Sequence, residues 1–307
     1  MTNIDFKSGF VAVVGRPNVG KSTLINALMG QKITAVSPRP QTTRRQQLGI
    51  LTDDQAQIIF TDTPGVHHAR HKLGNFMNEE AVIALEDSDV VLFIVDGSVE
   101  PDSEDLLLAE IIRELKGDIP VILALNKTEE MGAEAQRLSE GIFKNLVPQA
   151  DVFSISALAK INLELLLAKI VTLLPAHPPF YSPEQITDLY EREIAADLIR
   201  AAALIILRDE VPHSIAVRID EFTERGDTGA YIEGTLFVER ESQKGIVVGA
   251  GGKMIKRIST EARKAIEEMS GRKVFLRLRV KVRKNWRNDE KSLGLFGFRG
   301  RGKGLKK

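Results

Sequence analysis

The chain has 307 residues, 43% hydrophobic and 27% charged, a size and balance that suit two ordinary soluble domains, each with its own core. The absence of cysteine excludes a disulfide framework, a thiolate metal site and a cysteine nucleophile, and fits a reducing cytosol. A formal charge of zero conceals a division, because 14 of the 42 Lys and Arg but only Asp289 and Glu290 among 42 acids fall in residues 272–307. That end carries +12 and the remainder −12, the outline of a protein whose C-terminal part meets polyanions.

In chain order, residues 10–14 predict a strand, and Gly15-Arg16-Pro17-Asn18-Val19-Gly20-Lys21-Ser22 follows it directly. This matches G-x-x-x-x-G-K-S/T at the opening of a helix predicted over 21–29. The glycines let the backbone curl so that its N–H groups surround phosphates, a stretch that runs on to Thr23. Lys21 supplies a point charge, and the Ser22 hydroxyl is expected to ligate Mg²⁺. Residues 37–45 (SPRPQTTRR) form a polar segment whose threonine is expected to close over magnesium and γ-phosphate, Thr42 as first choice and Thr43 as second. A strand at 57–61 ends in Asp62-Thr63-Pro64-Gly65, at the same sheet edge. There Asp62 is expected to hold the metal through water, and the Gly65 N–H to sense the γ-phosphate.

Downstream, Val66 stands where many GTPases place a water-orienting glutamine, and His67, His68 and His71 are expected to be solvated loop residues. A helix over 72–87, a strand over 89–96 and a helix over 104–116 follow. The strand at 120–126 closes on Asn126-Lys127-Thr128-Glu129, the place of an N-K-x-D guanine-reading motif, with Glu129 one methylene longer than the usual acid. After a helix at 135–146 and a strand at 151–155 comes Ser154-Ile155-Ser156-Ala157. Its Ser156 and Ala157 are expected beside the base, with the Ala157 N–H toward the guanine oxygen, before a helix at 163–174. Repeated strand-then-helix units imply an α/β domain with a mostly parallel sheet and ligands at the carboxyl ends of its strands.

Four prolines in residues 175–183 (PAHPPFYSP) stop regular structure and place a domain boundary. Beyond it the pattern predicts a helix at 191–207, strands at 214–222 and 231–240, a helix at 253–269 and a strand at 273–283. Gly249-Ala250-Gly251-Gly252 precedes the second helix as a G-x-x-G loop, which lets a nucleic-acid backbone pack against protein backbone. Phosphate attraction is expected from Lys253, Lys256 and Arg257, with Lys244 beside them. Arg277, Arg279, Lys281 and Arg283 alternate with apolar residues and form a basic strand face. Trp286, Phe296 and Phe298 either stack bases or pack on this domain, and residues 296–307 (FGFRGRGKGLKK) are expected to lack fixed structure.

The order of these motifs, the phrases GRPNVGKSTL, GQKI, QTTRR and DTPGVH, and the second half together resemble the Era family of bacterial GTPases over nearly the whole chain. The resemblance implies a Ras-like P-loop GTPase domain followed by an α+β type II KH domain. It implies a role in assembling the small (30S) ribosomal subunit by binding the 3′ end of its 16S rRNA. The corresponding division is a G domain at 1–177, a linker at 178–190, a KH domain at 191–286 and a basic Gly/Arg-rich tail at 287–307. The expected activity is slow, Mg²⁺-dependent hydrolysis of GTP to GDP by a monomer, with Lys21, Asn18, Thr42 and Gly65 as catalytic residues and Asn18 helping to hold a K⁺ ion beside the phosphates. Two other readings stay open: a KH RNA-binding module whose G domain is mainly structural or weakly guanine-selective, and a GTPase whose basic tail touches the inner face of the cell membrane. The expected location is the cytoplasm.

Overall fold

The structure is a computed structural model that describes residues 6–31, 33–36, 42–115, 118–226 and 229–298. The chain separates into two compact units. The first comprises Met1–Thr34, Thr43–His68 and Met77–Asp188, and the second Ala35–Thr42, Ala69–Phe76 and Leu189–Lys307.

The first unit is built on six strands: β1 (Lys7–Val14), β2 (Gln47–Thr52), β3 (Ala56–Asp62), β4 (Val90–Asp96), β5 (Val121–Asn126) and β6 (Asp151–Ser154). Their spatial order is β2-β3-β1-β4-β5-β6, parallel throughout except for the antiparallel β2–β3 pair. The helices are α1 (Lys21–Met29), α2 (Lys72–Glu86), α3 (Ser103–Glu114), α4 (Ala133–Leu146) and α5 (Leu163–Leu173). Alternation along β1 sorts the two faces. Val11 and Val13 join Leu24 and Ile25 of α1 and Leu166 and Ile170 of α5 in one core. Ala12 and Val14 join Leu85 of α2, Leu108 and Ile112 of α3 and Phe143 of α4 in the other. Strand β2 escapes the sequence pattern because QLGILT is short, interrupted by Gly49 and joined to a charged segment. Residues 37–41 of that segment lie outside the described residues.

The proline-rich segment is strapped to this sheet. Gln57 of β3, whose side chain is buried, accepts the N–H groups of Phe180 and Tyr181 at 2.8 and 3.0 Å and donates to the Tyr181 carbonyl at 2.9 Å. On the edge strand β2, Ile50 N–H donates to the Ile186 carbonyl and Leu48 N–H to the Asp188 carboxylate. Phe180 lies between Phe10 and His177, with ring centroids 5.2 and 4.1 Å away.

In the second unit the order is α6 (Glu191–Ile206), β7 (Ala216–Arg225), β8 (Gly229–Val238), α7 (Glu241–Val248), α8 (Lys253–Ser270) and β9 (Lys273–Val282). The sheet runs β7-β8-β9, antiparallel then parallel. Leu198 and Ile199 of α6 and Ile258, Ala262 and Ile266 of α8 bury one sheet face around Ile232, Leu236 and Val274. The parallel β8–β9 pairing needs the α7–α8 crossover. Helix α7 was not expected, since eight residues containing Gly245 present too little apolar periodicity to read. The basic stretch past 287 begins with regular structure that its composition did not announce. A short helix, α9 (Glu290–Leu295), is capped by the Asp289 carboxylate, which accepts from Ser292 N–H at 2.9 Å. Residues 299–307, expected to lack fixed structure, lie outside the described residues.

Candidate nucleotide and nucleic-acid sites

The loop between β1 and α1 sits at the carboxyl end of the parallel sheet. Within it Lys21 is nearly buried, and its Nζ donates to the carbonyls of Gly15 and Arg16 at 2.9 and 3.0 Å. Burial lowers this ammonium from its ordinary 10.5 to about 8, against partial support from Asp62. Gly20 is indispensable to the turn: its φ is +104°, and a Cβ there would lie 2.3 Å from Asn126 Nδ2. That close approach lets Asn126 Nδ2 donate to the Val19 carbonyl at 2.8 Å, tying the end of β5 to the phosphate loop. The same Asn126 accepts the Ala157 N–H at 2.9 Å. The N–H expected to face guanine is therefore held by Asn126, while Ser156 Oγ accepts from Ala159 N–H at 2.8 Å.

Three oxygens converge beside Lys21. Ser22 Oγ donates to Asp62 Oδ2 at 2.8 Å, Thr43 Oγ1 donates to the same oxygen at 3.1 Å, and the two hydroxyls are 3.1 Å apart. This is the hard-oxygen donor set that suits Mg²⁺. The structure brings in Thr43 where Thr42 was the first choice. The division between the two compact units falls between these two residues, so that Thr43 belongs with the phosphate-loop unit and Thr42 with the second. Thr63 Oγ1 donates to the Val13 carbonyl at 2.8 Å, which fixes the start of the Asp62–Gly65 turn against β1. Val66 is buried in the core formed with α2 and α3, so it has no group to offer a water. His67 is not the solvated residue expected. It is buried, with Nδ1 2.9 Å from the Gly65 carbonyl and its own carbonyl accepting from Asn78 at 2.8 Å. His68 is exposed.

Asp96, Asp102 and Asp105 form an acidic cluster that the sequence reading missed. Arg16 Nε lies 3.0 Å from Asp105 Oδ2 and 3.4 Å from Asp102, and Lys127 Nζ is 2.5 Å from Asp96. Asp105 is there because it closes the capping box of α3: Asp102 Oδ1 accepts the Glu104 and Asp105 N–H groups, and Asp105 Oδ2 accepts the Asp102 N–H. Burial pushes the Asp105 carboxyl up. Burial also opposes the Asp96 charge, but hydrogen bonds from Lys127 and Ser98 outweigh it and hold that carboxyl below the usual range. The start of α3 thereby grips the phosphate loop through Arg16, while Asp96 at the end of β4 holds Lys127 of the Asn126–Glu129 turn. The D-x-x-D spacing of the capping box was the available signal. Glu129 itself is exposed on the short turn Thr128–Glu130.

In the second unit, Gly249, Gly251 and Gly252 take φ of +71°, +58° and +76° and turn the chain from α7 into α8. Lys253, Lys256 and Arg257 are exposed on the first turns of α8, where helix N–H groups reinforce their charge. Behind them a groove of about 460 Å³ opens between α8 and the edge strand β9, floored by Ile255, Val274, Leu276 and Leu278 and rimmed by Lys256, Ser259, Thr260, Arg263, Phe275 and Arg277. Ser259, Thr260, Arg263 and Phe275 went unnoticed because only the packing of α8 on β9 makes them neighbours. Of the open alternatives for Trp286, packing holds: it is fully buried, donates Nε1–H to the Ser214 carbonyl at 2.7 Å and meets Phe296 edge-on. The Phe298 ring stacks on it from 6.3 Å.

A phosphate loop on a mostly parallel sheet, a serine–threonine–aspartate cluster beside its lysine and a guanine-type turn define a P-loop GTPase domain. It is joined to a type II KH fold with its G-x-x-G loop intact. Comparison with known proteins agrees: the family described as 50S ribosome-binding GTPase matches residues 10–127, and the KH domain family matches 210–287. GTPase Era of Halothermothrix orenii is 43% identical over 299 residues, covering 97% of this chain and 100% of the relative. GTPase Era of Geotalea uraniireducens is 41% identical, with 97% and 100% covered. Among solved structures, Era in complex with MgGDPNP and nucleotides 1506–1542 of 16S ribosomal RNA superposes with a TM-score of 0.89 at 37% identity, covering 95% of this chain and 99% of that one. A variant of Aquifex aeolicus Era bound to GDP and AlF4⁻ gives 0.90 at 38% identity, with the same coverage. The chain belongs to the Era family of GTPases, and its enzymatic activity is hydrolysis of GTP.

Proposed function

We propose that this protein binds the 3′ end of 16S rRNA through its KH domain and assists assembly of the 30S subunit, with the nucleotide state of the G domain setting RNA affinity. The observation that carries this reading is the G-x-x-G loop and its groove, on a chain that matches, over 95% of its length, a relative described in complex with MgGDPNP and that rRNA segment. Residues 1–177 act as the G domain, 178–190 as the linker, 191–286 as the KH domain and 287–307 as the basic tail.

In this mechanism the amides of Gly15 to Thr23 and the Lys21 ammonium enclose the β- and γ-phosphates, and burial strengthens that charge–charge attraction. Ser22, Thr43 and Asp62 would hold Mg²⁺, which supplies charge neutralisation on the phosphate oxygens. The Gly65 N–H responds to the terminal phosphate, and its loss on hydrolysis releases the segments around Thr43 and Gly65. Since Val66 cannot orient water, a K⁺ ion would supply the added positive charge, and Asn18, exposed in the loop with φ of +66°, would help to hold it. Asn126, Lys127, Glu129, Ser156 and Ala157 form the base site. The protein works as a cytoplasmic monomer, with its basic end in peripheral contact with the cell membrane.

The test is a binding titration of the full chain with a 16S 3′-terminal RNA in the presence of GDP or a non-hydrolysable GTP analogue. Nucleotide-dependent affinity is expected. Equal affinity in both states, or no preference for that RNA over a scrambled one, refutes the switch. Exchange of K⁺ for Na⁺ should slow turnover, and liposome flotation with and without residues 294–307 tests the membrane contact.

A further inference from the structure

The open face of the β7-β8-β9 sheet, opposite α6 and α8, is not a plain solvated surface. Along β9 the burial pattern alternates strictly, so Lys273, Phe275, Arg277, Arg279 and Lys281 all stand on this face. Phe275 is 64% exposed, among the most exposed large apolar side chains of the second unit. It faces Tyr231 across the β8–β9 register, and the two rings lie 12° from parallel with centroids 5.7 Å apart. Tyr231 is anchored on its other sides. The Tyr231 hydroxyl donates to Glu233 at 3.0 Å, Arg279 bridges to the same carboxylate at 2.7 Å, and the Arg225 guanidinium lies 5.1 Å from the Tyr231 ring centroid.

Two facts fix what this face would meet. Phe275 and Arg277 also rim the groove between α8 and β9, so the groove and the open face are continuous around the edge strand. On that face β9 presents Lys273, Arg277, Arg279 and Lys281, against which the neighbouring strand sets Glu233, 3.7 Å from Arg277 and 2.7 Å from Arg279, so the β9 edge keeps a net positive charge. An exposed aromatic pair flanked by arginines is a stacking surface for bases next to a track for phosphates. Bases are free to stack in this way only in a single strand, because a duplex keeps them paired inside.

We infer that Phe275, supported by Tyr231, is a second binding site for single-stranded RNA. It stacks a base of the strand that has left the G-x-x-G groove and turned over the β9 edge, while Arg277 and Arg279 meet the adjoining phosphates. This rests on the KH groove being the RNA site, and it extends the footprint beyond the roughly four nucleotides such a groove clamps.

The full-length protein, its Phe275→Ala, Tyr231→Ala and Phe275→Trp variants, and a Gly251→Asp groove variant would be titrated by fluorescence anisotropy. The probes are single-stranded RNAs of about four and about eight nucleotides from the preferred sequence. Phe275 is exposed and the space around Gly251 is open; Asp is chosen at Gly251 because, at φ +58°, it visits the left-handed conformation more readily than most side chains. Phe275→Ala should weaken the longer RNA by roughly 5- to 150-fold, the value of one stacked base, and leave the shorter one within about twofold. Tyr231→Ala should give a smaller loss of the same pattern, and Phe275→Trp should restore binding with quenching of the new indole. Undiminished binding of the longer RNA by Phe275→Ala, while Gly251→Asp loses both RNAs, overturns the second site and leaves the groove reading standing. Equal losses for both RNAs assign Phe275 to the groove alone and also overturn it. If Gly251→Asp binds both normally, the groove reading falls and this inference with it. Retained RNA binding with loss of a protein captured from ribosomal particles makes the face a protein surface instead.

Discussion

Lys21 offers a test in which function and stability pull in opposite directions. Its ammonium is held by two backbone carbonyls but shielded from water, and burial lowers it from 10.5 to about 8. Keeping the charge in the nucleotide-free protein therefore costs roughly 3 kcal/mol at pH 7. Between pH 8 and 10.5 the unfolded chain holds a proton on this lysine that the folded chain has released, so stability to unfolding rises with pH across that window. Lys21→Met should abolish this rise. At neutral pH it should stabilise the nucleotide-free protein by about 1–2 kcal/mol, the relief being reduced by about 1 kcal/mol for each lost hydrogen bond to Gly15 and Arg16. Urea unfolding of both proteins from pH 7 to 10.5 measures the difference and cancels titrations common to the two. In the wild type, GDP must bind the protonated form, so its affinity should fall by up to about tenfold per pH step above pH 8, whereas Lys21→Met should not bind GDP measurably at any pH. Parallel stability curves for wild type and variant would refute the account of a strained, ligand-ready charge.

Asp105→Ala removes the carboxylate that holds Arg16 and caps α3, so GDP should dissociate roughly 5- to 30-fold faster, measured with a fluorescent GDP analogue in stopped flow. An unchanged dissociation rate would detach α3 from nucleotide binding. Thr43→Ala should lower the Mg²⁺-dependent preference for a GTP analogue over GDP by about tenfold or more, while Thr42→Ala should leave it within about threefold; calorimetry of both variants decides which hydroxyl serves. Glu129→Asp should tighten GDP by about tenfold by restoring the shorter carboxylate reach, with competition by ADP unchanged; no gain would mean that the turn already accommodates the longer acid.

Much of the first unit was legible because its chemistry is local in sequence. The phosphate loop and the Asp62–Gly65 turn are contiguous, and β-branched runs betray strands buried on both faces. What escaped was set by tertiary contact. Nothing in QTTRR tells which threonine turns inward, since that depends on the path from residue 42 into β2. The aspartates at 96, 102 and 105 look like ordinary surface acids until α3 packs beside the phosphate loop. His67 reads as a polar loop residue, yet Asn78 of α2 folds over it and seals it in. In the second unit the G-x-x-G loop was visible, but its groove is made by two segments some twenty residues apart. Trp286 could not be assigned from sequence because aromatic residues that stack on RNA and those that fill a core share the same composition, and only the Ser214 carbonyl and the Phe296 ring decide between them.

The strap of residues 178–188 along β2 and β3 bears on where the chain can be cut. A fragment ending at 177 strips Gln57 of three hydrogen bonds to the strap and leaves it the bond to the Thr52 hydroxyl, a loss of about 0.5–1.5 kcal/mol per bond. It also bares the N–H row of β2, inviting end-to-end pairing of sheets between molecules. An isolated GTPase fragment that stays monomeric and keeps its nucleotide should therefore extend through Asp188.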